Sequence, residues 1–389
     1  NDVIYTLKRY SAIISSELKT ILVDEGSVTK CGEYCVDVEL SRPNPQLLLL
    51  LAGRCLKVVP DGSLEDGKIP SGTGPYKIVS NGSDYFTLKK FEKYRDKIDS
   101  NIGYVFFKKM EKEEALEAFK NHKADDLFEY DLSEGELITL PGKKTRVPLL
   151  AINYVGMNVK LKPFDNKSVR EAVQYATDND KLFEDSFAHQ LKIQGLIPRG
   201  LSGFSSSSDV FSYSTKDAKI KIETSKIKKP SKIDFWIREQ DFDEIFVKNF
   251  SKQMEQIGLV LNVLRKPDEE FYPAYYKRKQ QMFITPLYVE YPDASHILNC
   301  FRSDNEDNDI LLSSKSVDQE LEKLSFETNK LLRAKISSKI EKMIMSEAAV
   351  IPLYQRVAWY VHQNNIAGVD LPRLGSINMK ISNYYKSAE

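Results

Sequence analysis

The sequence predicts an α/β fold from three observations: a strand–helix–strand unit, the chain length and the composition. Residues 233–237 and 259–264 are short β-rich runs that flank an amphipathic helix over 242–257, and this order favours parallel strands in one sheet. The chain has 389 residues, which suits two or three packed units better than a single core. Hydrophobic residues make up 41% and charged residues 29%, as in a globular protein.

The first half of the chain predicts short helices, hairpins and one long strand. Helices are expected at 2–19, 47–52 and 112–120, strands at 102–107 and 145–157, and hairpins around residues 31–35 and over 76–88. Before the second hairpin stands Gly72-Thr73-Gly74-Pro75-Tyr76. Because glycine tolerates positive φ and proline fixes φ, we expect a tight turn here that leads into a strand. A phosphate-binding loop would need a helix after the glycines, so that interpretation is disfavoured.

The second half of the chain alternates helices with strands. Helices are expected after Asn166, from Asp178, and over 242–257, 269–279, 317–324 and 334–346, and strands over 233–237, 259–264, 282–287, 349–353 and 359–362. Asn166 or Ser168 can cap the first of these helices, and Gly258 is a typical stop after the third. The basic run 216–232 is interpreted as a solvated helix or linker face.

The four cysteines are Cys31, Cys35, Cys55 and Cys300. Their spacing fits no zinc site, which needs paired Cys or Cys and His ligands. Cys31 and Cys35 lie across a predicted hairpin, so their sulfur atoms are able to meet. A disulfide, which would fit an oxidising compartment, and two separate thiols both remain open.

Several function classes are disfavoured by the composition. Lysine plus arginine and aspartate plus glutamate both number 56, whereas a nucleic-acid-binding protein usually has a basic excess. No apolar run approaches the roughly 18 to 20 residues of a membrane span. The four histidines are scattered at His122, His189, His296 and His362, with no Ser/His/Asp or HExxH spacing. The sequence therefore predicts no catalytic residue, no metal site and no cofactor.

Six short motifs follow one another in a recognisable order. They are DVIYTLKR (2–9), VDVELSRP (36–43), GTGPY (72–76), YVGMN with PFDN and VREA (154–172), YPD (291–293) and IPLY (351–354). In this order the chain resembles the family 5 solute-binding proteins of ABC importers, the oligopeptide, dipeptide and nickel-binding type. Ala294 stands where the family has a second proline. The family's usual segment before the first motif is absent, so an incomplete first lobe is expected.

The resemblance implies a two-lobed periplasmic-binding-protein-like fold (class II, cluster C) with a hinge that the chain crosses twice. It predicts lobe I over 1–148, including the extra subdomain, lobe II over 149–355, and a return to lobe I over 356–389. The crossings are expected near 148–158 and 352–359, beside proline or glycine. A ligand that contacts both lobes would favour closure over itself.

The resemblance also suggests where the ligand binds. The predicted ligand-binding residues are Asp293, Glu290, Tyr291, Tyr288, Asn158, Trp236, Trp359 and Arg356. In peptide-binding relatives an acidic residue in this region meets the ligand's α-amino group, and Asp293 stands at that motif position, with Glu290 nearby. The tyrosines and tryptophans would line a tolerant pocket, unless they are simply core residues. Asn158 would bind ligand backbone or lock the hinge, and Arg356 would meet a carboxylate.

The expected function is therefore binding without chemistry. The resemblance implies a peptide or similar small solute as ligand, a membrane-embedded ABC permease as partner, no nucleic acid, and a monomer. The location would be periplasmic, or outside the cytoplasm on a lipoprotein anchor. An alternative with the same fold is the ligand-sensing effector domain of a transcription regulator.

Overall fold

Two long strands carry the chain from one unit of the structure to the other. The computed structural model describes residues 1–12, 22, 25–53, 56–63, 71–127, 130, 132–182, 190–206, 212–239, 244–375 and 378–387. Unit 1 consists of Asn1–Leu149 and Val357–Glu389, and unit 2 of Leu150–Arg356. The chain thus passes between the units after Leu149 and again after Arg356.

The described helices and strands follow in chain order. They are α1 (Asp2–Ser11), β1 (Val28–Gly32), β2 (Cys35–Val38), α2 (Leu47–Leu51), β3 (Tyr76–Asn81), β4 (Tyr85–Lys90), β5 (Tyr104–Lys108), α3 (Lys112–Lys120), β6 (Asp126–Leu127), α4 (Glu134–Thr139), β7 (Lys143–Met157), α5 (Lys167–Ala176), α6 (Asn179–Leu182), β8 (Leu191–Lys192), α7 (Thr215–Thr224), β9 (Ser231–Arg238), α8 (Glu244–Glu255), β10 (Leu259–Lys266), α9 (Asp268–Tyr275), β11 (Met282–Tyr288), α10 (Ala294–Asn299), α11 (Lys315–Phe326), α12 (Lys330–Ser346), β12 (Val350–His362), β13 (Ile366–Ala367) and β14 (Tyr385–Lys386). Over the described ranges, no helix is both long enough and apolar enough to span a bilayer.

Unit 2 is built on a mixed sheet in which the order is β10-β9-β11-β7-β12. Strands β9 and β10 are parallel over their whole length, from Leu259 opposite Ser231 onwards, which confirms the predicted strand–helix–strand unit. Strand β11 runs antiparallel to β7, from Met282 opposite Met157 to Tyr288 opposite Ala151. The α/β prediction for this part of the chain is therefore correct.

The core of unit 2 follows from the helical spacing of apolar residues. Helix α5 buries Val169, Ala172, Val173 and Ala176 against the sheet, because residues three and four apart share a face. The Asn166 side chain accepts a hydrogen bond from the Ser168 backbone N–H at 2.9 Å, so Asn166 is the cap.

Strand β12 is one continuous element, and the prediction of two separate strands over 349–353 and 359–362 is wrong. Gln355 and Arg356 interrupt the apolar pattern, which made the segment look like two strands. Gln355 is nevertheless fully buried, and both polar ends of its side chain are satisfied there. Its amide oxygen accepts a hydrogen bond from the Arg199 backbone N–H at 2.9 Å, and its amide nitrogen donates to the Arg199 carbonyl. A long-range partner satisfies this polar side chain, and sequence periodicity cannot reveal such a partner.

In unit 1, the predicted hairpin after the GTGPY motif is part of a three-stranded antiparallel sheet, β3-β4-β5. The conformation expected of its glycines is not observed. Neither Gly72 nor Gly74 has a positive φ, and a Cβ added to Gly74 would meet no described atom within 4 Å. The turn therefore forms without the special backbone freedom that suggested it.

The first hairpin, β1 with β2, carries a disulfide between Cys31 and Cys35, which answers the question left open by the sequence. Cys300 is buried and is not part of a disulfide among the described residues. Cys55 and the second half of the helix predicted over 2–19 lie outside the described residues, and α1 accounts for the first half.

Candidate functional site

The segment from Tyr288 to Asp293 joins the end of β11 to the start of α10 in unit 2. It contains four of the predicted site residues within six positions of the chain. Arg356, the last residue of unit 2, contacts the first of them. The structure thus brings Tyr288, Glu290, Tyr291, Asp293 and Arg356 to one region.

Asp293 is the N-cap of α10. Its Oδ1 accepts a hydrogen bond from the Ser295 backbone N–H at 2.9 Å and lies 2.8 Å from the Arg333 guanidinium. Both side chains are largely buried, with 17% of Asp293 and 9% of Arg333 exposed. Both of these contacts use Oδ1, so Oδ2 remains able to accept a hydrogen bond.

Arg333 is a functional candidate that the sequence analysis missed. It lies in α12 and also donates to the backbone carbonyls of Leu324 and Glu327 at 2.7 and 2.9 Å. These bonds hold the guanidinium in place and orient the Asp293 carboxylate. Forty positions separate the two residues, and no sequence pattern links them.

Tyr288 and Arg356 form a second pair. The Arg356 guanidinium donates to the Tyr288 hydroxyl, and its carbon lies 5.3 Å from the centre of the Tyr288 ring. Tyr288 is 46% exposed and Arg356 is half-buried. Among the described residues no carboxylate lies within ion-pair distance of Arg356. A guanidinium has five donor hydrogens, so it retains the capacity to bind an anion.

The remaining two residues of the segment differ in exposure. Tyr291 is buried, with 3% of its surface exposed, and its ring meets the His296 ring edge-to-face at 5.2 Å. Glu290, which stands between Val289 and Tyr291 in the sequence, is half-buried. The Tyr291 side chain therefore packs into the protein interior, whereas the Glu290 side chain retains some access to solvent.

Asn158 lies far from this region. It follows the last residue of β7, and Met157 pairs with Met282 whereas Ala151 pairs with Tyr288. Six residues of strand separate the two pairs, or about 20 Å. The Asn158 side chain is fully buried and donates to the Arg278 carbonyl at 3.1 Å, while its oxygen accepts from the Lys160 N–H at 3.0 Å.

The two tryptophans lie in packed surroundings. Trp236, in β9, is 9% exposed, meets the Phe271 ring at 6.4 Å and has the Lys266 ammonium 5.2 Å from its ring. Trp359 lies in the unit 1 part of β12 and packs against the cluster that contains Phe119 and Leu127. The structure does not bring Trp236 and Asn158 to the Tyr288–Asp293 segment.

A buried polar cluster stands beside the Asn158 contact. The Arg278 guanidinium donates to the Asp309 carboxylate and to the Glu306 carbonyl. Burial is the main cause that raises the pKa of Asp309 to about 6, with Tyr275 and Arg278 opposing it. Burial also raises the pKa of Tyr154 and Tyr275 well above the ordinary value. The cluster fixes the loop before α11 and contains no group that the segment uses.

One group in the described part of the chain has three potential metal-ligating atoms close together. It consists of Cys31, Cys35 and Asp37 on the surface of the first hairpin. The two sulfur atoms are bonded to each other, so they are not thiolate ligands in this structure.

A family model described as bacterial extracellular solute-binding proteins, family 5 Middle, matches residues 1–309. The glutathione-binding protein GsiB of Salmonella paratyphi A is 24% identical over 384 residues, which cover 93% of this chain and 73% of that protein. The uncharacterized protein YhjP of Bacillus subtilis is 24% identical over 193 residues, which cover 49% of this chain and 30% of that protein.

The fold has solved counterparts. The periplasmic binding protein DppA of Helicobacter pylori, in complex with the peptide STSA, superimposes with a TM-score of 0.84 at 18% identity. The match covers 99% of this chain and 81% of that one. This likeness confirms the predicted periplasmic-binding-protein-like fold.

Proposed function

Because the chain belongs to the bacterial extracellular solute-binding proteins of family 5, we propose that it captures a peptide or similar small solute for an ABC importer. The match over residues 1–309 is the observation that carries the proposal. GsiB is named for binding glutathione, and the matching DppA structure holds a peptide. Capture and release need no covalent step, and we propose that the protein performs none.

The proposed mechanism is closure of two lobes over the ligand. Lobe I would comprise 1–148 with 356–389, and lobe II 149–355. The division of the chain into two compact units, with passages after Leu149 and Arg356, supports these boundaries. A ligand shifts the population toward a closed state only if it binds that state more tightly, and a shift from mostly open to mostly closed needs about 5 kcal/mol.

The proposed ligand contacts follow from complementary charge. A peptide has an ammonium at one end and a carboxylate at the other. Asp293 offers Oδ2 to the ammonium, and Arg356 offers guanidinium hydrogens to the carboxylate. Charge-assisted hydrogen bonds of this kind are roughly twice as strong as neutral ones.

The other predicted residues receive supporting roles in this proposal. Tyr288 presents its exposed ring to the ligand and orients Arg356, and Glu290 adds negative charge near the ammonium. Tyr291 and Asn158 support the segment and the sheet from buried positions. Trp236 and Trp359 would contribute apolar surface near the ligand only after a rearrangement of their packed neighbours.

We further propose that the protein acts as a monomer outside the cytoplasm, in the periplasm or on a lipoprotein anchor, with a membrane-embedded permease as its partner. The family description, which is extracellular, supports this location. The transcription-regulator alternative receives no support from the relatives named above.

Calorimetry with defined peptides tests the proposal. We expect dipeptides, tripeptides or glutathione to bind, and the same compounds with an acetylated amine and an amidated carboxylate to bind far more weakly. Native mass spectrometry of the purified protein would identify a co-purified ligand. A protein that binds no member of a peptide library and carries no co-purified solute would contradict the proposal.

The role of Asp293 is tested separately with Asp293→Asn. We expect this variant to lose about 2 kcal/mol of affinity for a peptide with a free amine, and to bind the N-acetylated peptide as the parent protein does. The comparison of the two peptides separates ligand recognition from a general effect of removing the ion pair with Arg333. An equal loss for both peptides would remove Asp293 from the ligand contacts.

A further inference from the structure

The three-stranded sheet of unit 1 has one exposed face that combines aromatic rings with lysines. Its members, called here the basic aromatic face, are Lys77, Tyr85, Lys89, Tyr104, Phe106 and Lys108. They share a face because Lys77 is directly opposite Lys89, Lys89 is opposite Tyr104, and Tyr85 is opposite Lys108. Phe106 lies between Tyr104 and Lys108 at the two-residue spacing of one strand face.

The rings of this face are unusually accessible. Phe106 is 74% exposed, Tyr104 is 49% exposed and Tyr85 is 44% exposed. The rings of Tyr104 and Phe106 stack with their centres 6.3 Å apart, so they form one apolar surface. Grouped aromatic side chains on a soluble surface mark an interaction site more often than single ones do.

Two of the three lysines of this face have no acidic partner among the described residues. Lys77 and Lys89 are directly opposite each other, where like charges repel. Each is close to a ring: the Lys77 ammonium lies 3.8 Å from the centre of Phe91, and that of Lys89 lies 5.5 Å from Tyr104. Within the described residues, neither has a carboxylate at ion-pair distance, whereas Lys108 is 3.4 Å from Glu114. An anion placed over the face would relieve this repulsion.

We propose that the basic aromatic face docks on an anionic lipid surface. Aromatic side chains favour the headgroup level of a bilayer, and lysines next to anionic headgroups add attraction at short range. A second copy of the chain fits less well, because face-to-face contact would bring together Lys77 and Lys89 of both copies, four lysines without acidic partners among the described residues. A nucleic acid has the same charge but is not the expected partner of a family described as extracellular. The inference does not depend on peptide binding.

Co-sedimentation with vesicles tests the proposal. We expect the protein to bind vesicles that contain about a third phosphatidylglycerol at low salt, to leave them at about 0.5 M salt, and to ignore pure phosphatidylcholine. The double variant Lys77→Gln/Lys89→Gln should bind about 25-fold more weakly, at roughly five-fold per lysine. Phe106→Ser should weaken binding at least about five-fold.

Matched controls isolate the face. Lys330→Gln/Lys335→Gln removes the same charge from exposed lysines of α12, and Phe326→Ser removes another partly exposed ring. Both should bind vesicles like the parent protein. Phe106→Trp adds a probe whose emission should shift to the blue when vesicles are added.

Three results would overturn the inference. The first is an absence of binding to anionic vesicles at low salt. The second is equal weakening by the control and face variants. The third is a dimer, seen by analytical ultracentrifugation, that Phe106→Ser dissociates while vesicle binding is absent; this would assign the face to a second copy.

Discussion

At the scale of single residues, Arg356 is the clearest candidate for ligand recognition. It is half-buried, fixed by the Tyr288 hydroxyl and ring, and has no carboxylate partner among the described residues. We predict that Arg356→Ala weakens binding of a peptide with a free carboxylate by 10-fold or more, because about 1.5 to 3 kcal/mol of charge-assisted bonding is lost. The C-terminally amidated peptide should bind both proteins alike in calorimetry.

The control for this variant is Arg95→Ala, which removes an exposed arginine whose partner, Asp96, is also exposed. It should leave both affinities unchanged. If Arg356→Ala weakened both peptides equally, Arg356 would support the fold of the segment and would not bind the carboxylate.

A second residue-scale prediction concerns pH. Burial, followed by the charge of Asp125, raises the pKa of Asp126 from 3.8 to about 7. The folded state therefore holds this proton more tightly than the unfolded chain, and the resulting stability is complete below pH 4 and lost as the pH rises through 7. We predict that the free energy of unfolding of Asp126→Asn, relative to the parent protein, increases by about 4 kcal/mol between pH 4 and pH 7.5, because each pKa unit of the shift corresponds to about 1.4 kcal/mol.

Urea unfolding at several pH values measures this difference. The neighbouring Asp125→Asn is the control, since Asp125 is exposed and pairs with Lys386 at 2.9 Å. The stability of the Asp125 variant should keep most of the pH dependence of the parent protein, because burial contributes more than the Asp125 charge to the raised pKa of Asp126. A stability difference for Asp126→Asn that does not change with pH would contradict the assignment.

Individual side chains were only partly predictable from the sequence. The family resemblance pointed to the Tyr288–Asp293 segment through its YPD motif, and Arg356 follows shortly after the IPLY motif. It gave no sign that Asp293 is engaged by Arg333, or that both polar ends of Asn158 are satisfied by backbone. Two of those contacts join positions 40 and 120 residues apart, and local spacing contains no information about them.

At the scale of elements, Gly156 determines how β7 meets β11. Gly156 is directly opposite Phe283, and a Cβ at this position would lie 2.3 Å from the buried Phe283 ring. We predict that Gly156→Ala lowers the free energy of unfolding by about 2 kcal/mol through overpacking. Urea unfolding followed by the fluorescence of Trp236 in unit 2 and Trp359 in unit 1 measures the change.

Two further variants test the cause. In a Phe283→Leu background the added methyl group finds more space, so the cost of Gly156→Ala should fall. Gly74→Ala, with no described atom within 4 Å of the added Cβ, should change stability by less than about 1 kcal/mol. An unchanged cost in the Phe283→Leu background would show that the ring is not the obstacle.

Elements with strong periodicity matched their predictions, and the exceptions have physical causes. Helix α3 covers the predicted 112–120, and β9 and β10 contain the predicted strands. The prediction divided strand β12 at Gln355, because the hydrogen-bond partner of this buried side chain, Arg199, is remote in the sequence. The GTGPY motif suggested positive φ, whereas the observed backbone there is accessible to any residue.

At the scale of the whole molecule, ligand binding should change shape if the proposed closure takes place. We predict that a saturating peptide lowers the radius of gyration measured by small-angle X-ray scattering and, at 100 times its Kd, stabilises the protein by about 2.7 kcal/mol. The peptide blocked at both ends should do neither. Tight binding without a change in the radius of gyration would retain capture of the solute but contradict closure.

The fold as a whole was predictable because six motifs in order constrain a topology that composition alone does not. Amphipathic patterns identified the α/β class, but only the family resemblance suggested two lobes. The chain divides into two compact units after Leu149 and after Arg356, and the lobe boundaries expected from the resemblance stay a prediction. Ligand identity depends on side chains from distant segments, so the sequence does not specify it.

Both passages between the units lie inside hydrogen-bonded strands, in β7 and β12, and not in loops. A flexible linker would concentrate any change of backbone angle in one or two residues. A paired strand instead distributes the change as a small elastic twist along many residues, because each inter-strand bond resists a sharp bend. Reorientation of one unit would thus store energy that favours return to the relaxed state, so release of a bound solute would be assisted by the backbone itself.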